Sequence, residues 1–249
     1  MRLKCFFAAL VAFLFALPAV AQIAPPPPEP ENILYLDLTT GGRVTIQLRP
    51  DIAPRHVERI KTLVRQNFYS GIIFHRVIDG FMAQAGDPTG TGEGGSQLPD
   101  LEAEFNALPH VRGAVSMART SDPNSANSQF FIMLAPRLSL DGKYSVFGRV
   151  ISGMEYVDKI ERGEPPANPS RIVRASIAAD NIPPPTAEEV AAVASAPLPK
   201  ASPPPAAAPP AEAGTPADQG AAAPAPEGQE NTAPPPAQQP AEAAPATQP

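Results

Sequence analysis

Apolar and polar positions along the chain sort into short strand-length runs separated by turn residues. Residues 33–38 and 43–48 flank Thr39-Thr40-Gly41-Gly42, which predicts a hairpin whose glycines supply the positive φ of a tight turn. Pro54 suits a first helical position. Val57, Ile60, Leu63 and Val64 recur at helical spacing, so an amphipathic helix is expected to end near Asn67. Further β-rich runs cover 72–78, 81–85, 113–117, 129–134 and 144–150. A second helix is expected after Ser152, with Ser152 and Glu155 as its capping box and Met154, Val157 and Ile160 on one face. Residues 171–178 read as a last strand. The pattern predicts a mainly β fold: a closed eight-stranded antiparallel β-barrel with an α-helix over each end.

Composition limits that fold to part of the 249 residues. Of the 35 prolines, 19 fall between Pro183 and Pro249 together with 22 alanines, and no aromatic residue is present there. Such a segment cannot bury enough apolar surface to offset its ordering entropy, so 181–249 is read as a disordered Ala/Pro-rich acidic tail. Thr186 with Glu189 would cap one short helix through Val193. At the other end, Arg2 and Lys4 precede an apolar run from Cys5 to Leu17, Pro18 breaks it, and Ala19-Val20-Ala21 forms a small-x-small cleavage pattern. Residues 1–21 are therefore expected to be an export signal, although the same run is also the core of a short uncleaved anchor. Residues 22–31, with Pro25 to Pro28, form a stiff Pro-rich linker. One domain remains, 32–180.

Charge and cysteine narrow the chemistry. The formal net charge is -6, and most of it lies in the tail, so the domain is near neutral and no nucleic-acid partner is expected. Cys5 is the only cysteine and would leave with the signal, which excludes disulfides and thiolate catalysis in the mature chain. His56, His75 and His110 show no metal-ligand spacing, so neither metal nor cofactor is expected. Gly90-Thr91-Gly92-Glu93-Gly94-Gly95 lacks the lysine of a phosphate loop and reads as a surface loop. His75 reads as a packing and hydrogen-bonding residue on the face opposite Arg76, and Asp87 as a turn-former.

Four segments remain in order: Phe74-His75-Arg76; Gly80-Phe81-Met82-Ala83-Gln84-Ala85-Gly86-Asp87; Ser116-Met117-Ala118-Arg119; and Asn127-Ser128-Gln129-Phe130-Phe131-Ile132. With Leu140-Asp141-Gly142-Lys143-Tyr144, this series resembles the cyclophilin family of peptidyl-prolyl cis-trans isomerases from about Asn32 to Asp180. The resemblance implies an eight-stranded barrel with a proline-binding groove on its outer surface, acting as a monomer on proline-containing polypeptides. It implies Arg76 as the catalytic arginine and Gln84 as the residue that steadies it. Phe81, Met82, Phe131 and Leu140 would form the apolar wall, Ala118 and Arg119 would hold the preceding residues through backbone groups, and Gln129 and Tyr144 would border the cleft. Three positions depart from the familiar eukaryotic pattern: Arg119 stands for asparagine, Ser139 for a tryptophan that contacts cyclosporin, and Tyr144 for histidine.

Taken singly, the apolar residues read as core, and Arg76 and Gln84 as surface groups; the functional reading rests on all of them occurring together and in order. The alternative to an enzyme is a chaperone module that grips proline segments with little required turnover. The export signal points to a periplasmic site of action without stable membrane insertion. The prolines of the tail also raise the expectation that it visits the groove of its own domain.

Overall fold

The computed structural model describes residues 29–198. The expected signal, residues 22–28 of the Pro-rich linker and the tail beyond 198 lie outside the described residues. Eight strands run in chain order: β1 (Ile33–Leu38), β2 (Gly42–Leu48), β3 (Arg76–Ile78), β4 (Met82–Ala85), β5 (Ala114–Met117), β6 (Phe130–Met133), β7 (Val146–Ser152) and β8 (Ile172–Ile177). Helix α1 (Pro54–Arg65) follows β2, α2 (Met154–Asp158) follows β7, and α3 (Ala187–Ser195) follows β8.

The β1–β2 hairpin turns where glycine was expected, with Gly41 at φ 100°. Helix α1 starts at Pro54 and ends in a left-handed residue, Asn67 at φ 57°. There Phe68 N–H donates to Leu63 C=O and Asn67 N–H to Val64 C=O, which satisfies the last-turn carbonyls. Val57, Ile60, Leu63 and Val64 are all buried, as their spacing requires.

The strands form one antiparallel sheet in the order β3-β4-β6-β5-β7-β2-β1-β8. The expected continuous closure is not made by a ladder. Residues 71–74 approach 170–172 through one bridge, Ile73 to Arg171, and a few backbone bonds, so the sheet is a half-barrel. The reason lies in β3: the run 72–78 adopts strand geometry only from Arg76, past the point of contact with β8.

The second helix also differs from expectation. Ser152 stays in β7 opposite Thr45 and caps nothing; the N-cap is Gly153, at φ 81°. A side chain there would meet Arg43 C=O at 2.2 Å, so close backbone approach selects glycine where composition suggested serine. Helix α3 has the expected capping box, with Glu189 N–H donating to Thr186 Oγ1 and Thr186 N–H to Glu189 Oε2. It runs beyond Val193 to Ser195 and packs beside β8. Arg174 donates to Pro183 C=O and Glu189, and Arg171 to Ala196 and Pro197 C=O, so the described structure extends well past residue 180.

Period-two alternation divides the apolar residues of the central strands between two faces. Phe130 and Ile132 join Leu36, Ile46, Ile60 and Phe147 in the main core under α1. Phe131 and Met133 belong to a second cluster on the other face.

Candidate active site

Register alone assembles the polar edge of the second face. Arg76 on β3 lies opposite Gln84 on β4, Gln84 opposite Phe131 on β6, and Phe131 opposite Ser116 on β5. Directly opposed residues point to the same side of a sheet, so these four side chains form one row. With strands about 4.8 Å apart, the Arg76 and Phe131 backbones are separated by roughly 10 Å, within reach of a long side chain.

The apolar wall stands beside this row. Phe81, Met82, Ala118, Phe131, Leu140 and Tyr144 gather in one buried cluster, with Leu140 delivered by the 3-10 turn Leu138–Leu140. Tyr144 meets Phe131 edge to face, with centroids 5.7 Å apart at 81°. The guanidinium of Arg137 lies 5.3 Å from the Phe81 ring centroid.

Hydrogen bonds hold the row from both ends. Arg76 Nε donates to Glu164 Oε2 at 2.6 Å, and the arginine side chain is only 14% exposed. Gln84 Nε2 donates to Gln129 Oε1 at 2.9 Å. Gln129 Nε2 in turn donates to Gly92 and Gly94 C=O, both at 2.8 Å. Those carbonyls belong to the glycine loop, which is therefore a support for the site and more than a surface turn. Asp87 organises it by accepting from Thr89 N–H, Thr89 Oγ1 and Gly92 N–H. Burial opposes ionisation of Asp87, but these bonds outweigh it and hold the carboxyl below its ordinary value. Gly94 allows the approach: a Cβ there would sit 2.1 Å from Asp87 Oδ1.

Two of the expected binding residues make further contacts. Arg119 contributes its side chain as well as its backbone: the guanidinium lies 4.4 Å from the Tyr144 centroid and donates to Lys143 and Thr120 C=O. The Ala118 N–H is engaged with Gln129 C=O at 2.9 Å. Beyond it, Ala118, Thr120, Ser125, Asn127 and Gln129 line a cleft of about 240 Å³ with Glu93 and Asp100 also on its wall.

Two of the histidines serve this region differently. His75 is buried, as expected, yet both ring nitrogens lack a partner among the described residues, so it packs without the hydrogen bond it was expected to make. His110, whose sequence context carries no sign of a role, supports the wall. Its ring stacks on Phe131 at 6.2 Å, Nδ1 meets Asp141 Oδ1 at 2.8 Å, and Nε2 meets Ser116 Oγ at 2.9 Å. As a neutral ring it donates to Asp141 and accepts from the serine. Burial holds its pKa below the ordinary histidine value despite that carboxylate. Asp141 adjoins Leu140, so one contact fixes both the ring and the turn. Neither His110 nor Glu164 lies at a spacing from its partner that reveals the contact.

The model of the family described as cyclophilin type peptidyl-prolyl cis-trans isomerase matches residues 35–177, more than half of the chain. The chain belongs to the cyclophilins. It is 50% identical over 168 residues to a protein of Brucella suis biovar 1 (strain 1330) described as "Probable peptidyl-prolyl cis-trans isomerase", covering 61% of this chain and 85% of that protein. It is 40% identical over 146 residues to a Schizosaccharomyces pombe isomerase, covering 55% and 94%. Among solved structures, cyclophilin AquaCyp293 of Hirschia baltica matches with 34% identity and a TM-score of 0.58, over 62% of this chain and 77% of that one. A Cryptosporidium parvum cyclophilin, solved in the presence of the dipeptide Ala-Pro, matches with 30% identity and a TM-score of 0.55, over 58% and 98%. This cyclophilin is a peptidyl-prolyl cis-trans isomerase.

Proposed function

We propose that this cyclophilin accelerates X–Pro rotation by placing Arg76 at the proline nitrogen of a polypeptide seated against Phe81, Met82, Phe131 and Leu140. Rotation breaks no covalent bond; it costs amide resonance, a barrier of ~18–20 kcal/mol. Shortening exchange from about a hundred seconds to about a millisecond requires about 10⁵-fold, or roughly 7 kcal/mol of differential stabilisation. In the twisted state the lone pair is localised on nitrogen, so an aimed guanidinium stabilises that state more than the planar one. A forked guanidinium supplies this without proton transfer.

The observation that carries this reading is the row Arg76–Gln84–Phe131, with the donor and the apolar wall on one face of the sheet. Proline-containing polypeptides are the substrates proposed, and the Ala-Pro dipeptide with the Cryptosporidium cyclophilin supports that class. The Arg2–Ala21 pattern supports exported clients in the periplasm.

The test is Arg76→Ala in the mature full-length chain, assayed by exchange NMR on an Ala-Pro peptide. A fall of about 10²-fold or more in kcat/KM with an unchanged melting temperature is expected, the scale seen on removing one aimed donor. Activity within twofold of the native protein would refute the role of Arg76. A chaperone acting by grip alone would lose turnover and still suppress aggregation of a proline-rich client. Mass spectrometry of the secreted chain should find Gln22 at its start.

A further inference from the structure

The site row does not stop at Arg76. On the open side of β3, Val77 and Gly163 form an isolated antiparallel bridge, with both bonds present: Val77 N–H to Gly163 C=O at 2.8 Å and Gly163 N–H to Val77 C=O at 2.9 Å. Antiparallel register then puts the next residue, Glu164, opposite the preceding one, Arg76. The observed bond from Arg76 Nε to Glu164 Oε2 at 2.6 Å is the side-chain expression of that pairing.

We propose that Glu164 is a positioning residue for the isomerisation, holding the Arg76 guanidinium in one orientation before the polypeptide arrives. The inference rests on the role given to Arg76 above. Three features of the chain support it. Strand β3 has only three residues and pairs within the sheet to β4 alone, so its outer edge needs a partner to be stiff. The partner segment is itself constrained: Gly163 has φ 145°, a Cβ there would sit 2.6 Å from Pro166 Cα, and Pro165 and Pro166 follow with restricted φ. The carboxylate holds the Nε end of a planar fork, which fixes the plane in which the remaining N–H groups lie. An arginine with several rotatable bonds would otherwise lose that freedom during the reaction, where the loss appears in kcat. Glu164 acts through the arginine and is not itself catalytic.

The mature full-length protein carrying Glu164→Ala is expected to lose about tenfold in kcat with KM changed less than twofold, because orientation is lost and the apolar wall is intact. Glu164→Gln keeps an oxygen acceptor for Nε–H and should recover at least a third of native kcat. In ¹⁵N spectra the Arg76 Nε–H should exchange slowly with water in the native and Gln forms, and rapidly in the Ala form. Native kcat in Glu164→Ala, a loss confined to KM, or a Gln form as slow as the Ala form would each overturn the proposal. Should the Ala form fail to fold, a rapidly exchanging Nε–H in the native protein would still overturn it. The two readings separate cleanly. Full activity in Arg76→Ala defeats the role of Arg76 itself, whereas an inactive Arg76→Ala with a fully active Glu164→Ala defeats only the role of Glu164.

Discussion

Gln84 on β4 and Gln129, the residue just before β6, share a buried hydrogen bond of 2.9 Å that joins the glycine loop to the arginine row. Gln129 is the branch point, since its amide also bonds Gly92 and Gly94 C=O. Gln129→Leu should therefore release the loop and unsettle Gln84 together. The two carbonyls left without that donor cost about 1–3 kcal/mol each in stability if they stay buried. Activity should fall about tenfold, and amide exchange across 89–95 should quicken. Unchanged exchange in that loop would show that Gln129 does not hold it.

Acid should weaken the fold from just below neutrality. His56, His75 and His110 are each held below the ordinary histidine value, with burial the largest cause in every case. The unfolded chain takes up protons near pH 6.5 that the folded chain refuses. Stability is thus complete above about pH 7 and declines as pH falls below about 6.5, by at most ~1.4 kcal/mol per pH unit for each histidine. His75, whose ring nitrogens have no partner among the described residues, gives the sharpest test. His75→Phe should flatten the fall in melting temperature between pH 6.5 and 5, and an identical slope would assign the effect elsewhere. Asp87, Glu104 and Asp141, all held below their ordinary values, add a further loss as pH drops past the carboxylate range.

Gly153→Ala should destabilise the protein by at least ~1–3 kcal/mol, because the residue is left-handed and the added carbon meets the Arg43 carbonyl. Urea unfolding measures it. A loss under 0.5 kcal/mol, about the size of an ordinary surface change, would mean the hairpin yields freely there.

Ser139 is exposed on the turn that delivers Leu140, at the place of the drug-contacting tryptophan in the family resemblance. Cyclosporin should inhibit the native protein weakly. Ser139→Trp should tighten binding about tenfold or more, the scale of an interface aromatic anchor, as read by titration calorimetry. Nanomolar affinity in the native protein would contradict this.

Most of the fold could be read from periodicity where local signals agree with packing. The β1–β2 hairpin, the stop of α1 at Asn67 and the Thr186–Glu189 box of α3 are such cases. Closure of the sheet and the cap of α2 escaped, because both depend on how near one backbone comes to another. The ordered motifs named the wall and the row but not their supports. His110 reaches Asp141 across 31 residues and Arg76 reaches Glu164 across 88, distances at which no spacing rule operates.

The clasp of Arg171 and Arg174 on α3 and the chain just after it decides where this domain should be cut. A fragment trimmed at Ile182, where proline richness begins, would remove Pro183 and Glu189 from Arg174, leave Arg171 its bond to Gly71 C=O but not those to Ala196 and Pro197, and bare the flank of β8. Boundaries for expression are better drawn beyond Leu198, and any cargo fused there would depart from a fixed anchorage on the last strand.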